Sequence, residues 1–220
     1  MPPSPMRVIL ASTSPRRKEL LALLGVPFDI VEPSFVERVV PNLPAERQAM
    51  EFAAGKARSC AAEHPEALII GSDTLISLGH EVLGKPRDLA EAEAMLTKLA
   101  GRTHRIYTAV ALVGPVSEPL EVRVATVRVT MKPFEQEALA GYLRTGESLG
   151  KAGAYSIQGE ARALIERIDG DYTAAVGLPL RLTAEMLVRR GLSCSVDIDR
   201  LYARQPYPNW SHFAASPIRS

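Results

Sequence analysis

The chain of 220 residues is 46% apolar and 23% charged with a net charge of +1, which is the composition of an ordinary soluble α/β domain built on one substantial core. That balance excludes a general attraction to nucleic acid or to a membrane surface, so any anion it binds must be held locally. No apolar run approaches membrane-spanning length, Met1-Pro2-Pro3-Ser4-Pro5-Met6 lacks the apolar stretch of a signal peptide, and Cys60 and Cys194 stand in no metal or redox spacing, so a cytoplasmic protein with free thiols is expected.

In chain order, Val8-Ile9-Leu10-Ala11 predicts a buried strand. Ser12-Thr13-Ser14 is a hydroxyl-rich turn into a helix with Ser14 as N-cap, Pro15 as first residue and Gly25 as its stop. Residues 28–31 form a short strand ending at Glu32-Pro33, and the polar loop after it carries Glu37. Residues 45–63 are an alanine-rich helix containing Lys56, closed by Pro65. The apolar run 67–70 is a buried strand that continues through Gly71-Ser72-Asp73-Thr74 into residues 75–78, and Gly79-His80 turns it into a hairpin with residues 81–83.

Gly84-Lys85-Pro86-Arg87 is a loop, and Asp88 with Glu91 caps a helix that runs to Ala100. Residues 104–113 and 121–131 are strands. In the second, the apolar parity slips between Val122, Val124 and Val127, Val129, Met131, which predicts a β-bulge near Ala125-Thr126. A helix at 134–144 leads into the glycine-rich connection 150–159, a long loop of the kind that lets backbone approach a ligand. Residues 163–168, the Asp169-Gly170 turn and residues 172–176 suggest another hairpin, and residues 178–190 a last helix. The proline-bearing remainder shows no periodicity and is expected to be irregular. The division is therefore residues 1–192 as one domain and 193–220 as a tail.

Two features carry chemistry. The first turn of the first helix attracts acids by its dipole, yet Arg16 and Arg17 stand on it. Either an anion sits there, cradled by amides, hydroxyls and guanidiniums, or both arginines point into solvent. Asp73 interrupts an apolar strand, where an unpaired carboxylate would cost several kcal/mol, roughly. It is either a metal ligand or general base, or a structural carboxylate satisfied by a neighbouring amide or guanidinium. Lys85 and Lys151 are loop cations, Gln158 is an amide suited to a base edge, and Glu37 is a second carboxylate; taken alone, each also reads as a solvated loop residue. His64, His80, His104 and His212 show no ligand spacing. Together Arg16, Arg17, Lys85, Lys151, Asp73 and Glu37 are what phosphoryl chemistry on a small substrate requires, while Walker and Rossmann glycine motifs are absent from the sequence.

Leu10-Ala11-Ser12-Thr13-Ser14-Pro15-Arg16-Arg17-Lys18-Glu19-Leu20-Leu21, Gly71-Ser72-Asp73-Thr74, Gly84-Lys85-Pro86, the run from Lys151 to Gly159 and Val176-Gly177-Leu178-Pro179-Leu180 resemble, in order, the Maf family of nucleoside triphosphate pyrophosphatases. The resemblance implies an α/β fold with a central mixed sheet flanked by helices and a cleft between two lobes, related to inosine triphosphate pyrophosphatases. It implies hydrolysis of a nucleoside triphosphate to the monophosphate and pyrophosphate with a divalent metal, Mg or Mn, held by Glu37 and Asp73. At the second arginine after Ser14-Pro15, at Thr74 and at Gln158 the chain looks like the branch acting on dTTP and UTP and unlike the branch acting on 7-methyl-GTP. By that likeness Asp73 is the proton acceptor, Arg16, Thr74 and Gln158 set specificity, and Ser12, Arg17, Lys56 and Lys85 bind substrate. Gly150 departs from the pattern, because many relatives carry Asp before Lys-Ala-Gly. No nucleic acid or membrane partner is expected, and self-association into a homodimer stays open. Family members have also been regarded as inhibitors of septum formation, so the alternative is a nucleotide-binding regulator of division that hydrolyses nothing.

Overall fold

Strands that are apolar on both faces must be covered on both sides. In the computed structural model, which describes residues 6–115 and 120–213, those strands build one seven-stranded mixed sheet. β1 (Val8–Ala11) pairs in parallel with β2 (Asp29–Val31) and with β3 (Leu68–Leu78). β3 turns back at Gly79 into antiparallel β4 (Glu81–Leu83). β5 (Thr103–Val113), β6 (Glu121–Met131) and β7 (Ile165–Asp169) extend the sheet antiparallel, in the order β2-β1-β3-β5-β6-β7.

The two faces have different cover. Leu68, Ile70 and Ile76 of β3 join a large core with α1 (Pro15–Ala22), α3 (Leu89–Leu99), α4 (Gln136–Arg144), α5 (Tyr172–Val176) and α6 (Leu180–Arg189). Ile69 and Leu75 face α2 (Ala45–Ala61), whose Ala49, Phe52, Ala53 and Ala57 complete a smaller core. Gly71 explains how close α2 sits: a Cβ there would lie 2.2 Å from the Ala53 carbonyl oxygen. That approach brings the next turn of α2, with Lys56, onto the strand.

One detail of β3 positions everything else. Its β1-side edge is paired with β1 as far as Gly71 and with β4 from Ile76 onward, so Ser72 to Leu75 have no sheet neighbour on that side. The gap opens beyond the C-terminal end of β1, where α1 begins, the place at which α/β sheets bind ligands.

Three expectations are corrected. β5 and β6 pair without a register break from Thr103↔Thr130 to Leu112↔Glu121, so no bulge interrupts Ala125-Thr126. The apolar parity changes because Val122 and Val124 pack toward α2 while Val127, Val129 and Met131 pack into the larger core. Residues 172–176 are helix α5, not a strand: the Asp171 side chain accepts from the Thr173 amide at 2.8 Å, and Gly177 at φ +135° closes the turn. The tail is ordered over its described part. It contains α7 (Ile198–Arg204), capped by Asp197, and places Leu201, Tyr207, Trp210 and Phe213 in the larger core; residues 214–220 lie outside the described part. Cys60 and Cys194 are free, as expected, and among the described residues no helix is long and apolar enough to cross a membrane.

Candidate active site

The gap in β3 opens into a cleft of about 510 Å³, and its geometry follows from strand alternation. Odd positions of β3 face α2, so Asp73 meets Lys56; even positions face α1 and α5, so Ser72 and Thr74 meet Arg17 and Gly177. Lys56 Nζ lies 2.5 Å from Asp73 Oδ1 and 2.5 Å from Glu37 Oε1. The ammonium thus bridges a buried carboxylate, Asp73 at 4% exposure, and a half-exposed one. Asp73 Oδ2 is buried with no hydrogen-bond partner, a desolvated acceptor on a residue that lines the cleft. Burial alone would raise Glu37, but the hydrogen bond and charge of Lys56, together with Lys85 and Arg17, outweigh it and hold its carboxyl below the ordinary value.

The arginine pair divides its work. Arg17 Nε donates to the Gly177 carbonyl at 3.0 Å, and its terminal nitrogens to Ser12 Oγ at 3.5 Å and Thr74 Oγ1 at 3.3 Å. It therefore turns inward to the carbonyl that closes α5, and burial lowers its pKa against the opposing pull of Asp73 and Glu37. Thr74 Oγ1 continues to Thr108 Oγ1 at 3.0 Å, and Thr108 to the Ala174 carbonyl at 2.7 Å. This relay fixes the floor of the cleft. Arg16, one residue earlier, lines the wall instead. Ser14 begins α1 without a side-chain cap; it is Ser12 Oγ that accepts from the Ser14 amide, at 3.2 Å.

Ser12, Arg16, Arg17, Glu37, Lys56, Asp73, Thr74, Lys85 and Gln158 all line this one cleft, with Gly150 and Lys151. The loop carrying Lys85 and the loop carrying Lys151 are tied by the Gly153 amide to the Gly84 carbonyl at 3.0 Å, while Lys151 Nζ donates to the Glu147 carbonyl at 2.9 Å. A model of the family described as Maf-like protein matches residues 7–190. The chain belongs to the Maf family. Among Maf relatives, a dTTP/UTP pyrophosphatase of Deinococcus radiodurans is 45% identical, with the match covering 85% of this chain and 94% of that one. A dTTP/UTP pyrophosphatase of Symbiobacterium thermophilum is 47% identical over 84% of this chain and 94% of its own. The solved structure of the Staphylococcus aureus Ham1 protein aligns with a TM-score of 0.44 at 14% identity, over 90% of this chain and 97% of that chain.

Two residues that shape the Maf site here were given no role of their own by the sequence. Ser72 Oγ donates to the Gly177 carbonyl at 3.2 Å beside Arg17, and Thr108 supports Thr74; both are small polar residues in apolar strands, a pattern that marks a partner without naming it. Among the described residues no group of three or more His, Cys, Asp or Glu gathers as a metal cage. The carboxylates lining the cleft are those of Glu32, Glu37 and Asp73, whose Oδ2 has no hydrogen-bond partner.

Proposed function

We propose that this Maf protein hydrolyses dTTP and UTP to the nucleoside monophosphate and pyrophosphate. The observation that carries the proposal is the Asp73 carboxylate, tied through Oδ1 to Lys56 and unpartnered at Oδ2 in a cleft lined by cations. A water set against Oδ2 gives up its proton there as its oxygen attacks the α-phosphorus; the bond from that phosphorus to the bridging oxygen breaks, and pyrophosphate leaves. Lys56 keeps Asp73 and Glu37 from repelling each other and presents the free oxygen of Asp73 to the water. Arg16, Lys85 and the unused N–H groups of Arg17 meet the charge of the leaving pyrophosphate. The carboxylates of Glu37 and Asp73 are hard oxygen donors that would hold a divalent cation, Mg or Mn. When bound, such an ion neutralises charge on the transferring phosphate.

Gln158 supplies one donor and one acceptor, which matches the O4 and N3–H edge of uracil or thymine. The test is to incubate the protein and magnesium with each nucleoside triphosphate and quantify pyrophosphate. Turnover of UTP and dTTP above that of ATP, GTP and 7-methyl-GTP is expected. No pyrophosphate from any of them would leave the non-catalytic regulator standing, and a 7-methyl-GTP preference would overturn the substrate assignment alone. Gln158→Ala should lower UTP turnover about tenfold or more while changing a poor purine substrate less.

A further inference from the structure

The loop that brings Glu37 to the cleft has few attachments of its own. Between β2 and α2 the chain forms no helix or strand. Its last residues are fixed to α2 by Gln48, whose Oε1 accepts from the Val40 amide at 2.8 Å and whose Nε2 donates to the Leu43 carbonyl at 2.7 Å. Upstream of that anchor, among the described residues, no backbone group of residues 34–39 makes a hydrogen bond, and Val36 and Val39 stand in solvent. Two side chains hold this stretch to α2. Glu37 reaches Lys56 at 2.5 Å, and Phe35 reaches the residue before it. A Cβ on Gly55 would lie 2.2 Å from Phe35 Cε2, 2.5 Å from its Cδ2 and 2.6 Å from its Cζ, so the ring occupies the space that a side chain at that position would fill. Phe52, one turn earlier, closes the seat, with ring centroids 6.0 Å apart and planes tilted by 54°. A glycine inside a helix costs stability relative to alanine. In this alanine-rich helix it marks a close approach, and the approaching group is the Phe35 ring.

Phe35 also stands between two cavities. It lines both the cleft and a second groove of about 490 Å³, bordered by Arg38, Met50 and Arg58. A ring displaced from Gly55 has that groove to move into, and α2 need not unfold to release it. The two anchors differ in strength. A half-exposed ion pair is a weak tether, because ordering two long side chains offsets its attraction; an aromatic ring in a fitted seat is a stronger one. They are also close neighbours on both partners, residues 35 and 37 of the loop against residues 55 and 56 of the helix, so movement of the ring moves the carboxylate. We infer that Phe35 is a positioning residue for Glu37: seated in the notch at Gly55, it latches the loop to α2 and sets the register at which the Glu37 carboxylate meets Lys56 beside Asp73. The consequence for turnover rests on Glu37 acting in the cleft as proposed above; the latch itself does not.

The experiment compares wild type with Gly55→Ala, Phe35→Ala and the double variant carrying both substitutions. Each is measured by thermal melt, by the rate of tryptic cleavage after Arg38 followed by mass spectrometry, and by UTP turnover against magnesium concentration. Arg38 is exposed and follows Glu37 in the chain, so its cleavage reports release of the loop. Both single variants should speed that cleavage severalfold, lower kcat/KM for UTP about tenfold to a hundredfold and raise the magnesium concentration that gives half-maximal turnover. Alanine favours the helix, and the double variant has no ring left to displace. It should therefore melt no lower than Phe35→Ala and match it in the other two measurements, whereas a general packing defect would make its losses the sum of the two singles. If folded Gly55→Ala and Phe35→Ala are cleaved at the wild-type rate, the latch is wrong. If cleavage speeds while UTP turnover and its magnesium dependence keep their wild-type values, the latch stands and the part assigned to Glu37 in the reaction falls.

Discussion

Replacing Asp73 by Asn separates the chemistry of the site from its architecture. The amide nearly matches the carboxylate in volume, and Lys56 is not stranded, because Glu37 Oε1 still lies 2.5 Å from its ammonium. What is lost is one charge-assisted bond, exchanged for a weaker one, and the unpartnered Oδ2 position becomes a buried oxygen or NH2 group. Together these cost about 1–3 kcal/mol, against a stability of roughly 5–15 kcal/mol for a domain. At roughly 2–4 °C per kcal/mol for a chain of this size, the melting temperature falls by about 2–12 °C and the protein stays folded at assay temperature. Turnover responds differently. Asn cannot take the proton of the attacking water, so kcat should drop about 10²–10⁴-fold. Circular dichroism melts beside a pyrophosphate-release assay on UTP measure both quantities on one preparation. A folded Asp73→Asn variant with wild-type kcat would remove Asp73 from the reaction.

Lys56→Met leaves two carboxylates facing each other without their shared cation, one of them 4% exposed; it should destabilise by about 3–5 kcal/mol in urea titrations, and a loss below 1 kcal/mol, roughly, would mean the bridge contributes nothing net. Gly71→Ala drives a methyl to 2.2 Å from a backbone oxygen of α2, so the helix must lift off the strand; we expect a cost of about 1–3 kcal/mol and a larger loss of activity than stability explains, since Lys56 moves with the helix. Glu37 has a folded pKa below its ordinary 4.5, so its contribution to stability is present above that pH and is lost as pH falls through the folded value. The urea midpoints of wild type and Glu37→Gln should therefore differ near neutral pH and converge in acid, and a constant difference would show that the ion pair is not the cause.

Local signals located the elements that obey one rule at a time. Asp88, expected as a cap, accepts from the Glu91 amide at 2.8 Å, and the β3–β4 hairpin turns at Gly79 with φ +61°. Where two rules compete, the pattern misleads. In β6 a change of covering layer imitates a bulge, because a parity shift records which side is buried and not why. In residues 172–176 the β-branched and aromatic residues suggest a strand, but Asp171 and Gly177 are a cap and a stop. The site was legible where a residue contradicted its surroundings, as Asp73 does in an apolar strand and Arg17 on a helix start. Arg17's partner was not, since a backbone carbonyl 160 residues away leaves no mark on the sequence. The order of the tail was missed for a related reason: its segment has no periodicity, and its order comes from packing against a core formed elsewhere.

The uninterrupted ladder between β3 and β5 decides which parts of this cleft are stator and which are moving parts. Every residue from Ile69 to Ser77 has a register partner on β5, from Val113 to Arg105, so Asp73 is clamped along one whole side of its strand and cannot shift without tearing the ladder. Accommodation of a nucleotide then falls to the walls: the loop of Glu37, the loop of Lys85 and the connection bearing Gln158. Asp73 stays still while the surroundings adjust to it, and amide exchange at the centre of β3 should be the slowest of any segment that lines the cleft.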